Sequence, residues 1–195
     1  MRSAFSIMGW LAIAATSLAQ GAIYGYDLHG QPIGQLLTPG SQAVVLIFIS
    51  TDCPISNRYA PEIQRLQKEF AARQVAFWLV YPNANETVAG VLQHESAFGL
   101  AGNTLLRPSP ELMAETRASI TPEAAVAVLN GSAFRTVYTG RIDDHYVDIG
   151  RERLKATRHD LEDAVEAVLA HRPVAAAGGP PVGCGIVSKA ALGKP

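Results

Sequence analysis

Residues 44 to 49 read V-V-L-I-F-I, a run without a polar side chain, and Cys53-Pro54 follows shortly after it. A continuous apolar run of this kind predicts a strand covered on both faces. Beyond Pro54 the spacing changes. Tyr59, Ile63, Leu66 and Phe70 recur at intervals of four, three and four, which is one buried stripe of a helix. Pro61 lies inside that helix and predicts a kink. Cys53 therefore stands where a buried strand hands over to a first helical turn. Free backbone N–H groups and the helix dipole favour an anion there, so the position promotes the thiolate, the reactive form of cysteine.

The same pattern continues along the chain. Val75 to Tyr81 (V-A-F-W-L-V-Y) predicts a second buried strand, with Trp78 in the core. Asn85 is placed to cap a helix with Val88, Val91, Leu92 and Phe98 on one face. Ser109-Pro110-Glu111 opens a short helix with proline at its first position. Ala124 to Leu129 and Phe134 to Tyr138 read as strands joined across Asn130-Gly131. Thr157 is placed to cap a last helix carrying Leu161, Val165, Val168 and Leu169. Turn signals between residues 24 and 42 suggest a small hairpin or loop at the start. Strands alternating with helices early and a hairpin late predict an α/β domain, a mixed sheet with helices on both faces.

The first 19 residues have the layout of a secretory signal: Arg2, an apolar stretch from Ile7 to Ala15, and Ser17-Leu18-Ala19 at the cleavage point. The apolar stretch is short for a membrane span. The expectation is export to a periplasm or beyond, with cleavage after Ala19 and no stable membrane span afterwards; an uncleaved anchor is the alternative. The domain is then expected over residues 20–172. Past His171 the composition shifts, and 173–195 reads as a flexible Pro/Gly/Ala-rich tail carrying Cys184. With a net charge of −1 and no basic run, nucleic acid is an unsuitable partner.

Cys53 and Cys184 are the chain's two cysteines, and an exported compartment lets disulfides persist. Taken together, these residues resemble the thioredoxin-like superfamily, and within it the exported redoxin and thiol-specific antioxidant type. The resemblance covers roughly residues 24–172. Cys53 matches the first cysteine of a Cys-x-x-Cys site, Ser56 stands where the second would be, and Pro61 matches the helix proline. Thr121-Pro122 matches the cis-proline pair ahead of a hairpin. The resemblance implies a thioredoxin-like fold with Cys53 as nucleophile toward a disulfide or a peroxide. Pro54 fits the first turn, and Thr51 and Ser56 would donate hydroxyl hydrogen bonds to the sulfur. Thr121 and Pro122 would face Cys53 and leave the Thr121 backbone free for a peptide or thiol substrate.

The departures narrow the chemistry. Ser56 removes the local second thiol. Asp52 replaces tryptophan before the nucleophile and would oppose its ionisation. Ile47 replaces a buried carboxylate, and Leu46 and Ser50 break the peroxiredoxin pattern, for which Arg58 and Arg141 are the arginine candidates. Cys184, within a reach of roughly 40 Å from His171, is the candidate resolving thiol; a static bridge and an unpaired tail thiol are the alternatives. The partners implied are protein or low-molecular thiols and disulfides, or peroxide, and no cofactor is implied. The contrasting expectation is a non-catalytic thioredoxin-like binding or metal-carrying module, for which a Cys53–Cys184–His copper site is the variant considered. His145, beside Asp143 and Asp144, reads as a solvated turn with Arg141 pairing an aspartate.

Overall fold

The structure is a computed structural model that describes residues 22–130 and 133–187. The predicted signal segment and Gly131 lie outside the described residues. The two apolar runs form β3 (Ala43–Phe48) and β4 (Val75–Tyr81), which pair in parallel. All thirteen of their residues are buried, because one face packs under helices and the other under a second apolar layer. Val45, Ile47 and Ile49 point to the first layer, and Val44, Leu46 and Phe48 to the second.

On the parallel side β4 pairs with β5 (Asn103–Leu106), and the sheet ends in β1 (Gly25–Tyr26) and β2 (Pro32–Ile33). On the other side β3 pairs antiparallel with β7 (Glu123–Asn130), which pairs with β8 (Ala133–Gly140). The order across the sheet is β2-β1-β5-β4-β3-β7-β8. Ahead of β7 lies the short strand β6 (Ile120–Thr121), outside this sheet. The expected mixed sheet is present, with helices on both faces.

The expected kink at Pro61 is a full break. The helical segment divides into α1 (Pro54–Arg58) and α2 (Ala60–Phe70), with Pro54 first in one and Pro61 second in the other. Ile63, Leu66 and Phe70 are buried as the stripe required; burying each large apolar side chain contributes roughly 1.5–3 kcal/mol. The helix after β4, α3 (Val88–Phe98), is capped by Thr87, whose hydroxyl accepts from Gly90 N–H, rather than by Asn85. Its buried face is Val91 and His94, not Leu92 and Phe98, which are exposed. A polar pair replaces the expected apolar contact: His94 Nδ1 meets the Tyr81 hydroxyl at 2.9 Å and Nε2 meets Asn57 Oδ1 at 2.8 Å.

Ser109 caps α4 (Pro110–Thr116) as read from the sequence. The last helix, α5 (Asp160–Leu169), starts after His159, and Thr157 serves Asp144 instead of the helix end. Asp143 and Asp144 are therefore not a solvated turn. Both are buried, Asp143 accepting from the Tyr59 hydroxyl at 2.6 Å and Asp144 from Thr157 and Arg158. Arg141 does pair an aspartate, but it is Asp160 at 2.7 Å. Beyond β8 a small hairpin joins β9 (Tyr146–Asp148) to β10 (Arg151–Glu152).

The segment after α5 departs from the flexible tail expected. Val174, Ala177 and Val182 pack on the core, and Gly178 N–H donates to Asp160 Oδ1 at 2.8 Å. The chain then forms β11 (Cys184–Gly185), antiparallel to β6. Its low side-chain content does not leave it loose, because backbone groups make the attachment.

Candidate redox site

Cys53 is the residue before α1, in extended conformation, with its carbonyl accepting from Asn57 N–H at 3.1 Å. Pro54 takes the first helical position, where a missing N–H breaks no helical bond. The Cys53 side chain is 0% exposed and its Sγ donates to the Thr121 carbonyl at 3.1 Å. The Thr121–Pro122 bond is cis, as the resemblance implied. Glu123 holds this loop in place: its buried carboxylate accepts from Ser119 and Ile120 N–H at 2.8 and 3.2 Å. The sequence reading did not single out Glu123, although a charge heading the apolar run A-A-V-A-V was the available sign.

Cys184 is brought to the same place. Register pairs Cys184 with Thr121 and Gly185 with Ile120, and the Thr121 hydroxyl donates to the Cys184 carbonyl at 3.3 Å. Gly183 is required for this approach, since a Cβ there would lie 2.1 Å from the Thr121 carbonyl oxygen. Neither cysteine is in a disulfide.

The two thiols are tuned apart. Burial alone would raise the Cys53 pKa. The facing Cys184 thiol, the Ser56 N–H and the hydroxyls of Ser56 and Thr121 outweigh it and hold Cys53 below its ordinary value of 9.0. The Ser56 hydroxyl is buried without a hydrogen-bond partner of good geometry, and the Cys53 thiolate is the group its dipole favours. Cys184 is pushed the opposite way, to about 12, by burial, by Cys53 and by the Asp52 charge. The expectation that Asp52 works against Cys53 is thus redirected. Its charge bears on Cys184, while its carboxylate accepts from the Ser50 hydroxyl.

Thr51 does not reach the sulfur. Its hydroxyl and N–H both donate to Glu86, at 2.9 and 3.0 Å, so the residue anchors the loop before Cys53. Glu86 and Asn83, which donates to Ser50 Oγ at 2.9 Å, were not foreseen. Each lies in the polar loop after β4, and no local pattern ties that loop to residue 51. The arginine candidates are both engaged elsewhere, Arg58 with Glu152 at 2.9 Å and Arg141 with Asp160. A groove of about 390 Å³ runs along Pro54, Ile55, Arg58, Tyr146 and Cys184.

A second cluster lies beyond Arg58, where Glu62, Asp143 and His159 bring one ligand atom each within 4.8 Å. Asp143 is occupied by Tyr59 and the His145 N–H, Glu62 pairs with Arg65, and Arg58, Arg65 and Lys155 line the same cleft. This is a charge-balanced surface, poorly suited to a cation.

A scan against family models finds none that matches, and a search of curated proteins finds no match either. Solved structures do match. An uncharacterized conserved protein from Geobacillus kaustophilus aligns with a TM-score of 0.70 at 20% identity, over 93% of this chain and 98% of its own. A hypothetical protein from Sinorhizobium meliloti aligns at 0.69 and 24% identity, over 92% of this chain and 97% of its own. A secreted Mycobacterium tuberculosis disulfide oxidoreductase aligns at 0.47 and 18%, over 76% of this chain and 94% of its own. With its mixed sheet, flanking helices and a cis Thr121–Pro122 set against a cysteine at the head of α1, this chain has the thioredoxin-like fold.

Proposed function

We propose that the protein is a thiol–disulfide oxidoreductase in which Cys53 is the nucleophile and Cys184 the resolving thiol. The observation that carries the reading is the placement of Cys184 in register opposite Thr121, whose carbonyl accepts the Cys53 thiol. The Cys53 thiolate attacks one sulfur of a substrate disulfide; the other sulfur leaves as a thiolate and takes up a proton. Cys184 is a poor nucleophile while Cys53 carries charge, because that charge helps hold it near 12. Once Cys53 is bonded to substrate, its charge is gone and Cys184 ionises more readily. It then attacks Cys53, the second substrate thiol leaves, and a Cys53–Cys184 disulfide remains. Two electrons have passed to the substrate, and the reverse sequence oxidises a dithiol.

A peroxide substrate has less support, since Arg58 pairs with Glu152, Arg141 with Asp160, and neither arginine is among the groups that favour the Cys53 thiolate. The leader segment supports action in an exported compartment. One observation favours the non-catalytic module instead, the full burial of Cys53.

The Cys184→Ser variant treated with bis(2-hydroxyethyl) disulfide separates these readings. A stable adduct on Cys53 by mass mapping, replaced in the parent chain by an internal disulfide, is the expected result. No adduct at Cys53 overturns the enzyme reading.

A further inference from the structure

Cys53 is wholly buried and does not line the groove beside it, which runs along Pro54, Ile55, Arg58, Tyr146, Gly183 and Cys184. What lies outward of the sulfur is the segment Gly183–Val187. This segment is attached on two sides. Toward β6, Cys184 and Gly185 pair with Thr121 and Ile120, and Ile186 N–H donates to the Ser119 carbonyl at 2.9 Å. Toward the loop after β4, Val187 N–H donates to Asn83 Oδ1 at 2.8 Å, and its carbonyl accepts from Ala84 N–H at 3.1 Å. The segment therefore bridges the site, from the cis-proline loop on one side to the Asn83 loop on the other. The backbone edge of Thr121, which a substrate chain would need, is already taken by the protein's own chain.

The attachment is light. The segment contributes backbone bonds, and its side chains are at most partly buried. Upstream, the chain is fixed where Gly178 meets Asp160, so the strap has a firm root and a lightly held end.

We propose that Gly183–Val187 is a displaceable strap that fills the site's own substrate edge, held shut by a Cys53–Cys184 disulfide and freed by its reduction. The lock rests on the oxidoreductase reading above, whereas the steric gate does not. Closing the lock removes one proton from each thiol and two electrons in all, which pass to a substrate disulfide and release two thiols. In the reduced chain the strap is held without a covalent bond, by its hydrogen bonds and the packing of Ile186 on the core, and opens for an extended, cysteine-bearing peptide to pair with Thr121.

Gly183 and Gly185 provide a matched pair of substitutions. A Cβ at Gly183 would strike the Thr121 carbonyl, whereas a Cβ at Gly185 meets nothing within 4 Å. In full-length Cys184→Ser protein, iodoacetamide labels Cys53 alone. Adding Gly183→Ala should raise that labelling rate about tenfold or more, the effect of losing roughly two backbone hydrogen bonds. Adding Gly185→Ala should leave it unchanged. Val187→Pro, which removes the donor to Asn83, should also raise it. In the parent chain, exchange at the Ile186 and Val187 amides should be slower when oxidised than when reduced, with no redox difference in Cys184→Ser. If Gly183→Ala and Val187→Pro both leave Cys53 as slow as before, the strap is overturned. Faster labelling without any disulfide adduct on Cys53 upholds the gate and overturns the oxidoreductase reading with its lock. Equal amide exchange in both redox states of the parent chain overturns the lock alone.

Discussion

Thr121 and Cys184 face one another across an antiparallel ladder, and the carbonyl of the first accepts the thiol of Cys53 at 3.1 Å. One backbone residue thus sets the position of the Cys53 sulfur and of the Cys184 main chain. The encounter of two cysteines so distant in sequence depends on main-chain register rather than on flexible side chains.

The first expected consequence concerns ionisation. The pH dependence of Cys53 alkylation should have its midpoint below 9.0, because hydrogen bonds to the sulfur outweigh burial. Ser56→Ala and Cys184→Ala should each move the midpoint upward by removing a donor. Cys184 should stay largely protonated through neutral pH, with its titration near 12. A Cys53 midpoint at or above 9.0 in the parent chain would contradict this account.

Glu86 spans the Thr51 N–H and hydroxyl with its two carboxylate oxygens. Glu86→Ala should lower stability by about 2 kcal/mol in urea unfolding, as expected when two charge-assisted bonds are lost at a half-buried site. Glu86→Gln keeps one acceptor and should lose less.

His94 gives a pH signature. Burial lowers its folded pKa below 6.5, so the unfolded chain binds a proton more readily than the folded one. Its contribution to stability is complete above pH 6.5 and falls away as the pH drops toward the folded value. Unfolding free energies measured between pH 5 and 7.5 should show this decline in the parent chain. The His94→Gln variant should show a flatter dependence over the same window.

Arg141 and Asp160 form an ion pair at 2.7 Å with only 14% and 3% of their side chains exposed. Arg141→Ala leaves a buried carboxylate short of its partner and should cost about 3 kcal/mol. Arg58→Ala breaks a pair exposed to 65% and 44% and should cost less than about 1 kcal/mol. Comparable losses in the two variants would mean that the burial difference does not matter.

Much of this architecture was legible because the informative residues lie close together in sequence. The apolar runs of β3 and β4, the stripe of α2 and the Ser109 cap are local signals, and each appears as read. The short strands β5, β6, β9, β10 and β11 were not seen, since pieces of two to four residues acquire strand geometry only from their partners. Thr51 was assigned to the sulfur because it is near in sequence, but Glu86, 35 residues away, takes its hydroxyl. Leu92 and Phe98 followed an apolar pattern on α3, yet the pocket under the helix holds the Tyr81 hydroxyl and so selects His94. Gly183 looked like one more flexible glycine, while its place against Thr121 depends on a register that no local pattern encodes.

Cys53 follows a strand whose six residues are all buried, and Cys184 rides on a half-buried segment. Joining them closes a chain loop of about 130 residues, which in the loop-entropy account removes about 5 kcal/mol of disorder from the unfolded chain. Electron transfer would then be written into heat resistance. The spent, oxidised molecule would outlast the reduced one, and a melting curve would count electrons.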